Sequence, residues 1–490
     1  MKNIKIISLI LIMVAVSISC DTEKLEPAPS ILFSDLVVFK TPSRIAQQLN
    51  GLYSGNSIKN GNFLGGRYFI HSDIRGEEFM NVRGNASTGL NIWNFTMVES
   101  SGPPATMWRY AYASINLVNT FLAGLEANKD NFVAPDFPAD YSTTVNQYIG
   151  EARFVRAVAY HYLLQSFAKS YMATGDGSSL GLPLRLTAES SSENNDMVRS
   201  TVAQVYDQIL DDLDFAEANV PLTYGEDLLN ASRAHRNAVI AFKTKVYLAK
   251  GDWGNVITEA NKIVSATAPF EASTGVPHKL EPSISSVFAA PQLTSENIFS
   301  MIFTNQDNPG TQNQLGFYWQ AAGGAEYYLN PTGIISDPNW LPTDERRDLI
   351  VTSGGNEWLN KFATPTPYTD KVQIIRYSEV LLNLAEARVR STNTVDTQAL
   401  ALLNAVRGRA DATTQWVAGD FADADALTAA ILHERQIEFL GEGMRSLDVM
   451  RLNMPFAAKG SVPSVDPTDP TYLWPIPDTE LRANSLMVRN

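Results

Sequence analysis

Apolar residues at mixed three- and four-residue spacing arrive in paired blocks along this chain, and that pairing restricts the fold more than any other feature. The span 237–266 is the clearest unit. Its first half carries Ala241, Lys245, Leu248 and Ala249; Gly251 closes it, Asp252 opens the next, and Val256, Ala260, Ile263 and Val264 follow. Glycine past a helix end and aspartate at the next N-cap are the expected punctuation. Tyr148 to Tyr171 repeats the spacing through Ile149, Ala152, Val155, Ala159, Tyr162 and Leu163. Thr201 to Ala218 does so through Val202, Val205, Ile209, Leu213 and Ala216, with Asp211, Asp212 and Asp214 on other faces as a solvated set. Gln373 to Arg390 and Thr397 to Arg409 make a further pair, with Ser391, Thr392 and Asn393 in the turn. Met107 to Leu125 reads as a helix with Trp108, Tyr112, Ile115 and Val118 at helical spacing, which makes Trp108 core.

Helix pairs of this length, with Gly251-Asp252-Trp253 at a turn, resemble tetratricopeptide repeats, which stack into a superhelical scaffold. The period is not kept, because long stretches rich in Gly, Pro, Asn and aromatic residues intervene. The expected fold is mainly α: helix pairs over about 145–268 and 373–452, an irregular lobe over about 59–104 and 268–370, and an irregular end over 453–490. Loops that long are functional or form a packed subdomain, so ligand contacts are expected there.

Cys20 is the only cysteine, and it ends an N-terminal leader. Lys2 and Lys5 give a positive start, and Ile6 to Val16 an apolar stretch broken only by Ser8. That stretch is too short to span a membrane, which takes roughly 20 residues, but suits a secretory signal over 1–19. Ser17 stands where bacterial lipoprotein signals usually carry Leu. With no partner for a disulfide, Cys20 at the first mature position reads as a lipid-attachment site, and residues 20–40 as a lipidated start and tether. The formal charge of −14 falls by two more when Lys2 and Lys5 leave with the leader. An acidic balance argues against nucleic acid or anionic lipid as the main partner, so the only membrane contact expected is the anchor. Charged residues are 18% of the chain, against roughly 25% in average proteins. Asn, Gln, Ser and Thr replace them, which suits a neutral, hydroxyl-rich ligand.

Signatures of catalysis are missing. His433-Glu434 begins like a zinc-protease helix, but Ile437 stands where the second histidine belongs. Gly175-Asp176-Gly177 lacks the third glycine of a phosphate fingerprint, Leu180 taking its place, and no nucleophile elbow occurs. Glu77-Glu78 and Asp344-Glu345 are the adjacent carboxylates a glycosidase would draw on. The expectation is no enzyme, no cofactor and no metal.

Four marks then define a resemblance. Leu25-Glu26-Pro27 follows the lipoprotein start. Glu151-Ala152-Arg153-Phe154-Val155-Arg156 runs on through Ala159-Tyr160-His161-Tyr162-Leu163. Glu434-Arg435-Gln436-Ile437-Glu438-Phe439 precedes Gly441-Glu442-Gly443-Met444-Arg445-Ser446-Leu447-Asp448. Tyr472-Leu473-Trp474-Pro475-Ile476-Pro477 comes near the end, with Glu480 and Asn484 beyond. Together they resemble the SusD/RagB family of surface nutrient-binding lipoproteins of Bacteroidetes-type bacteria. The resemblance implies a SusD-like body over 41–490, an outer-membrane location facing outward, and a TonB-dependent, SusC-like channel as partner. In that arrangement the lipoprotein captures an oligosaccharide or similar nutrient. A surface-anchored glycoside hydrolase and a helical-repeat adaptor for a protein or peptide are the alternatives. The arginines Arg153 and Arg156, and the set Glu442, Arg445 and Asp448, read as ion pairs of the scaffold, the latter spaced to meet one another.

The ligand site is expected in two aromatic stretches without helical or strand periodicity. One runs from Arg67 to Asn94 and contains Tyr68, Asp73, Asn91 and Trp93; the other, Phe317 to Tyr328, contains Tyr318, Trp319, Tyr327 and Tyr328. Trp93 and Trp319 are the candidate stacking platforms, with Tyr68, Tyr318 and Tyr328 beside them. Asn91, Arg67 and Asp73 are the candidate hydrogen-bonding groups.

Overall fold

The computed structural model describes residues 38–490. The signal segment, Cys20 and nearly all of the 20–40 tether lie outside the described residues. The helices are α1 Pro42–Leu52, α2 Arg67–Arg75, α3 Leu90–Trp93, α4 Gly102–Asn128, α5 Tyr141–Phe167, α6 Val202–Asn219, α7 Asp227–Ser232 and α8 Arg236–Lys250. They continue as α9 Trp253–Ala260, α10 Ile284–Phe288, α11 Leu315–Trp319, α12 Tyr377–Thr392, α13 Thr397–Ala410, α14 Ala424–Glu438, α15 Arg445–Arg451 and α16 Asp478–Ala483. The scaffold is a stack: α5 packs between α4 and α6, α8 on α6 and α9, and α12 on α8, α9, α13 and α14.

Local chemistry sets the ends of these helices. Thr201 accepts from the Gln204 amide at 3.2 Å while the Gln204 side chain accepts from the Thr201 N–H at 2.9 Å, a complete capping box for α6. Gly251 ends α8 at φ +77°, a conformation costly for any residue with a Cβ. Asp252 then caps α9 by accepting from Asn255 N–H at 3.3 Å.

Six short strands, β1 Phe79–Asn81, β2 Asn297–Met301, β3 Tyr327–Leu329, β4 Ile350–Ser353, β5 Asn356–Leu359 and β6 Val372–Arg376, form three antiparallel pairs. β1 pairs with β3, Met80 opposite Tyr328; β4 pairs with β5; β2 pairs with β6 and both are wholly buried. Gln373 therefore lies in a strand, not at the start of a helix. Val372, Ile374 and Ile375 supply the β-branched run, and α12 begins only at Tyr377. The irregular stretch 59–104 likewise holds a full helix, α2, whose residues after Arg67 are all buried. A helix buried all round shows no polar face, and so no amphipathic stripe.

Buried ion pairs lock lobe to scaffold. Arg376 at the end of β6 donates to Glu296 at 2.6 Å, Glu438 at 2.5 Å and Glu442 at 2.8 Å. Arg346 reaches Asp344, Glu434 and Glu438, Arg409 reaches Glu296 and Glu438, and Lys361 reaches Glu442. Three arginines hold the Glu438 carboxyl well below its usual range against its burial. Arg153 and Arg156 also act in the scaffold, both on Asp212 at 2.7 Å. Asp212 is thus fully buried rather than part of a solvated set. Glu442, Arg445 and Asp448 do not bond one another: Arg445 pairs with Glu77, and Asp448 with Arg435 and Arg451.

Candidate functional site

Most of the candidate aromatic residues are the lobe's own core. Trp319 is fully buried and stacks on Phe79 at 4.2 Å between ring centroids. Tyr318 and Tyr327 stack at 6.2 Å, also fully buried, and the Tyr318 hydroxyl donates to the Gln312 carbonyl. Trp93 is 8% exposed, donates its Nε1–H to the Phe79 carbonyl at 2.7 Å and lies under the Lys459 ammonium. Tyr68 packs on Phe69 and Tyr162. None of these rings offers a free face, which corrects their assignment as platforms. A lobe without long helices has only loop side chains with which to build a core, and large rings supply the most buried area per residue. Asp73 is also buried; it accepts from the Gly443 and Arg445 amides and ties α2 to the start of α15. Burial pushes its carboxyl up to about 7.

Arg67, Asn91 and Tyr328 keep part of their surface in solvent. Arg67 is spent partly on the Gln312 carbonyl, at 3.2 Å, and Tyr328 leans on Trp358. None of the three lines the cleft that lies along α4.

That cleft, about 500 Å³, is lined on α4 by Ala105, Trp108, Arg109, Tyr112, Asn116 and Asn119. These positions recur at three and four residues and so share one face. The opposite wall is the chain around Arg185, Glu189 and Asn195, and Thr479 and Glu480 of α16 close one side. Two asparagines of α4 hold that wall. Asn116 exchanges two hydrogen bonds with the Glu189 main chain, at 2.9 and 2.8 Å, and Asn119 donates to the Arg185 and Thr187 carbonyls. The Tyr112 hydroxyl donates to the Pro183 carbonyl at 2.9 Å.

Within the cleft, Trp108 is 5% exposed, backed edge-on by Phe167, tilted against Tyr112, and donates its indole N–H to Glu480 at 3.2 Å. Its sequence reading as a core residue matches this packing. Arg185 stands between Glu189 at 2.7 Å and Glu480 at 3.8 Å, so the charges of this wall are matched. Arg109 and Thr479 are exposed at the rim. With the Tyr112 ring half-buried in it, its asparagine amides spent on holding the wall and its charges matched, the cleft fits a neutral polar ligand better than an ion. Sequence reasoning missed Asn116, Asn119 and Arg185 as site-formers; the signal was a pair of amides on the aromatic face of a long helix.

Comparison with known proteins agrees with the four sequence marks. Residues 356–490 match the family described as the SusD family, and residues 25–248 the family described as "Starch-binding associating with outer membrane". A crystal structure of a SusD superfamily protein from Bacteroides fragilis is 32% identical, covering 92% of this chain and 99% of that one, with a TM-score of 0.80. SusD-like protein P38 of Formosa agariphila is 23% identical over 97% of this chain and 96% of its own length. Surface glycan-binding protein A from Bacteroides fluxus shares the fold at 20% identity and a TM-score of 0.70, over 92% of this chain and 99% of that one. The fold and site thus define a helical-repeat protein with an irregular lobe laid across its stack. The chain belongs to the SusD/RagB family.

Proposed function

We propose that this chain is a cell-surface glycan-binding lipoprotein of the outer membrane, anchored through Cys20, which captures oligosaccharide for a SusC-like, TonB-dependent channel. The observation that carries this reading is the cleft along α4, where the half-buried Tyr112 ring and the exposed Arg109 and Thr479 meet a wall of matched charges. Sugar rings present C–H faces to aromatic side chains and hydroxyls to amides and guanidinium groups, with no bond to break. The outer-membrane description of the family and the glycan-binding relative from Bacteroides fluxus support the same reading. Arg67, Asn91 and Tyr328, the lobe residues with open surface, are further proposed contacts for a longer chain.

The test is calorimetric titration with a polysaccharide panel, with newly released reducing ends assayed in the same samples. Binding without release is expected. Arg109→Ala and Thr479→Ala, both exposed, should weaken binding with an unchanged melting temperature, about tenfold for the arginine, which is the scale of one charge-assisted hydrogen bond. Release of ends would favour the anchored hydrolase. Unaltered affinity in both variants would remove the ligand from this cleft.

A further inference from the structure

Past the cleft, α4 borders a second open feature. A groove of about 600 Å³ runs between the C-terminal part of α4 and the first half of α5. Its floor is made by Leu122 and Leu125, Phe132 of the connection, and Val145 and Ile149. On each helix these positions are three or four residues apart, so each helix contributes one apolar face. Leu122, Phe132, Val145 and Ile149 are only half-buried. Apolar side chains gathered in one open groove mark a surface that another apolar group covers.

The start of the described chain lies against the same helix. Phe39 is 7% exposed, with its ring centroid 6.3 Å from that of Phe121. It seats that ring on Gly124, where a Cβ would come within 2.1 Å of it. Gly124 directly precedes Leu125 of the groove, so the chain joins α4 beside this apolar face. The seven residues before Val38 include Ile31, Leu32, Phe33, Leu36 and Val37. They lie outside the described residues. Seven extended residues reach up to roughly 25 Å, enough to cross a helix about 10 Å wide and then follow it. The stretch ahead of them is of another kind: Leu25-Glu26-Pro27-Ala28-Pro29-Ser30 carries two prolines and a charge. The family match over residues 25–248 already includes this apolar run. A run that served only as spacer would need no family pattern.

We infer that residues 31–37 bind in the α4–α5 groove of their own chain as an apolar strap. Burial on both sides drives it: the groove loses its contact with water, and so do five large side chains of the segment. The free leash between Cys20 and the body then shortens from eighteen residues to eleven, Cys20 to Ser30. Its exit from the α4–α5 face fixes which side of the molecule turns toward the point of attachment. That consequence rests on the lipid-anchor reading; the strap itself does not.

The test uses the full mature chain with Cys20→Ala, in which introduced cysteines are the only thiols. Ile31→Cys, Phe33→Cys and Leu36→Cys are each combined with Val145→Cys in the groove. As control, each is combined instead with Val417→Cys, at an exposed residue between α13 and α14. At least one groove pair should close to an intramolecular disulfide about tenfold faster than its control, since a seated strap raises the effective concentration. Hydrogen exchange gives a second readout on the chain without introduced cysteines. There the amides of 31–37 should exchange about tenfold slower than those of 21–26. Val145→Asp with Ile149→Asp should erase that difference while the rest of the body keeps its protection. If the double variant unfolds, the cysteine pairs decide alone. Equal closure rates in groove and control pairs, or amides at 31–37 as fast as those at 21–26, overturn the strap. Disulfide-linked dimers, or protection that fades on dilution, would seat the segment on a second copy and overturn the intramolecular strap.

Discussion

A carboxyl group held in a dry interior titrates against its own burial, and Glu78, in the turn between α2 and β1, shows the consequence. Burial and the neighbouring Glu77 push it up to about 7, although it accepts from Ile334 N–H at 2.7 Å and from Gln436. Its folded value is raised, so the stability it contributes is full below the unfolded value near 4.5 and is lost as pH rises through 7. Glu78→Gln keeps both hydrogen bonds if the Gln436 amide turns over. The variant should therefore gain melting temperature over wild type at pH 8 and lose that gain at pH 5. The difference between the two pH values corresponds to at most about 3 kcal/mol. Thermal denaturation of both proteins across pH 5–8 checks it; a gain independent of pH would show that Glu78 does not titrate there. Trp319 carries a second prediction at this scale. Since the ring stacks on Phe79 with no exposed surface, Trp319→Ala should cost about 3 to 5 kcal/mol, the usual loss on emptying an aromatic core site. A chemical denaturation curve that barely moved would return Trp319 to the role of a platform.

Between elements, the most exacting junction is where β6 becomes α12. Arg376, Arg346 and Arg409 converge there on Glu438, none of the four side chains more than 4% exposed. Removing the shared acid would leave three buried cations short of a partner, so Glu438→Leu should cost about 3 to 5 kcal/mol and resist rescue by salt. Urea denaturation at low and high ionic strength measures both; a loss below about 1 kcal/mol would make the network dispensable. The sequence made the helix pairs visible because each has one apolar stripe and ordinary caps, as Thr201, Gly251 and Asp252 show. It hid α2, which is apolar or buried on nearly every side, and it hid β6 inside an apparently helical run. The loop rings were legible as aromatic but not as buried, because no periodicity marks a core built from loops. The cleft was hidden for another reason. Asn116 meets its main-chain partner 73 residues later, and no local pattern announces a contact of that range.

At the scale of the whole molecule, an acidic body must work beside a membrane whose surface does not attract it. The formal charge of −14 provides no electrostatic adhesion to anionic lipid. Among the described residues no helix is long and apolar enough to cross a bilayer. In the proposed reading, retention at the surface comes from covalent lipid on Cys20, where one acyl chain holds marginally and several hold stably. The cleft along α4 is assembled from residues far along the chain from Cys20, so anchoring and capture should separate cleanly. Cys20→Ala is expected to move the protein from the membrane fraction to the soluble fraction with its melting temperature and glycan affinity unchanged. Fractionation after a high-salt wash, followed by calorimetry on the released protein, measures both halves of that statement. Retention of the variant in the washed membranes would end the lipid-anchor reading, and release with lost affinity would mean that the tether takes part in the site.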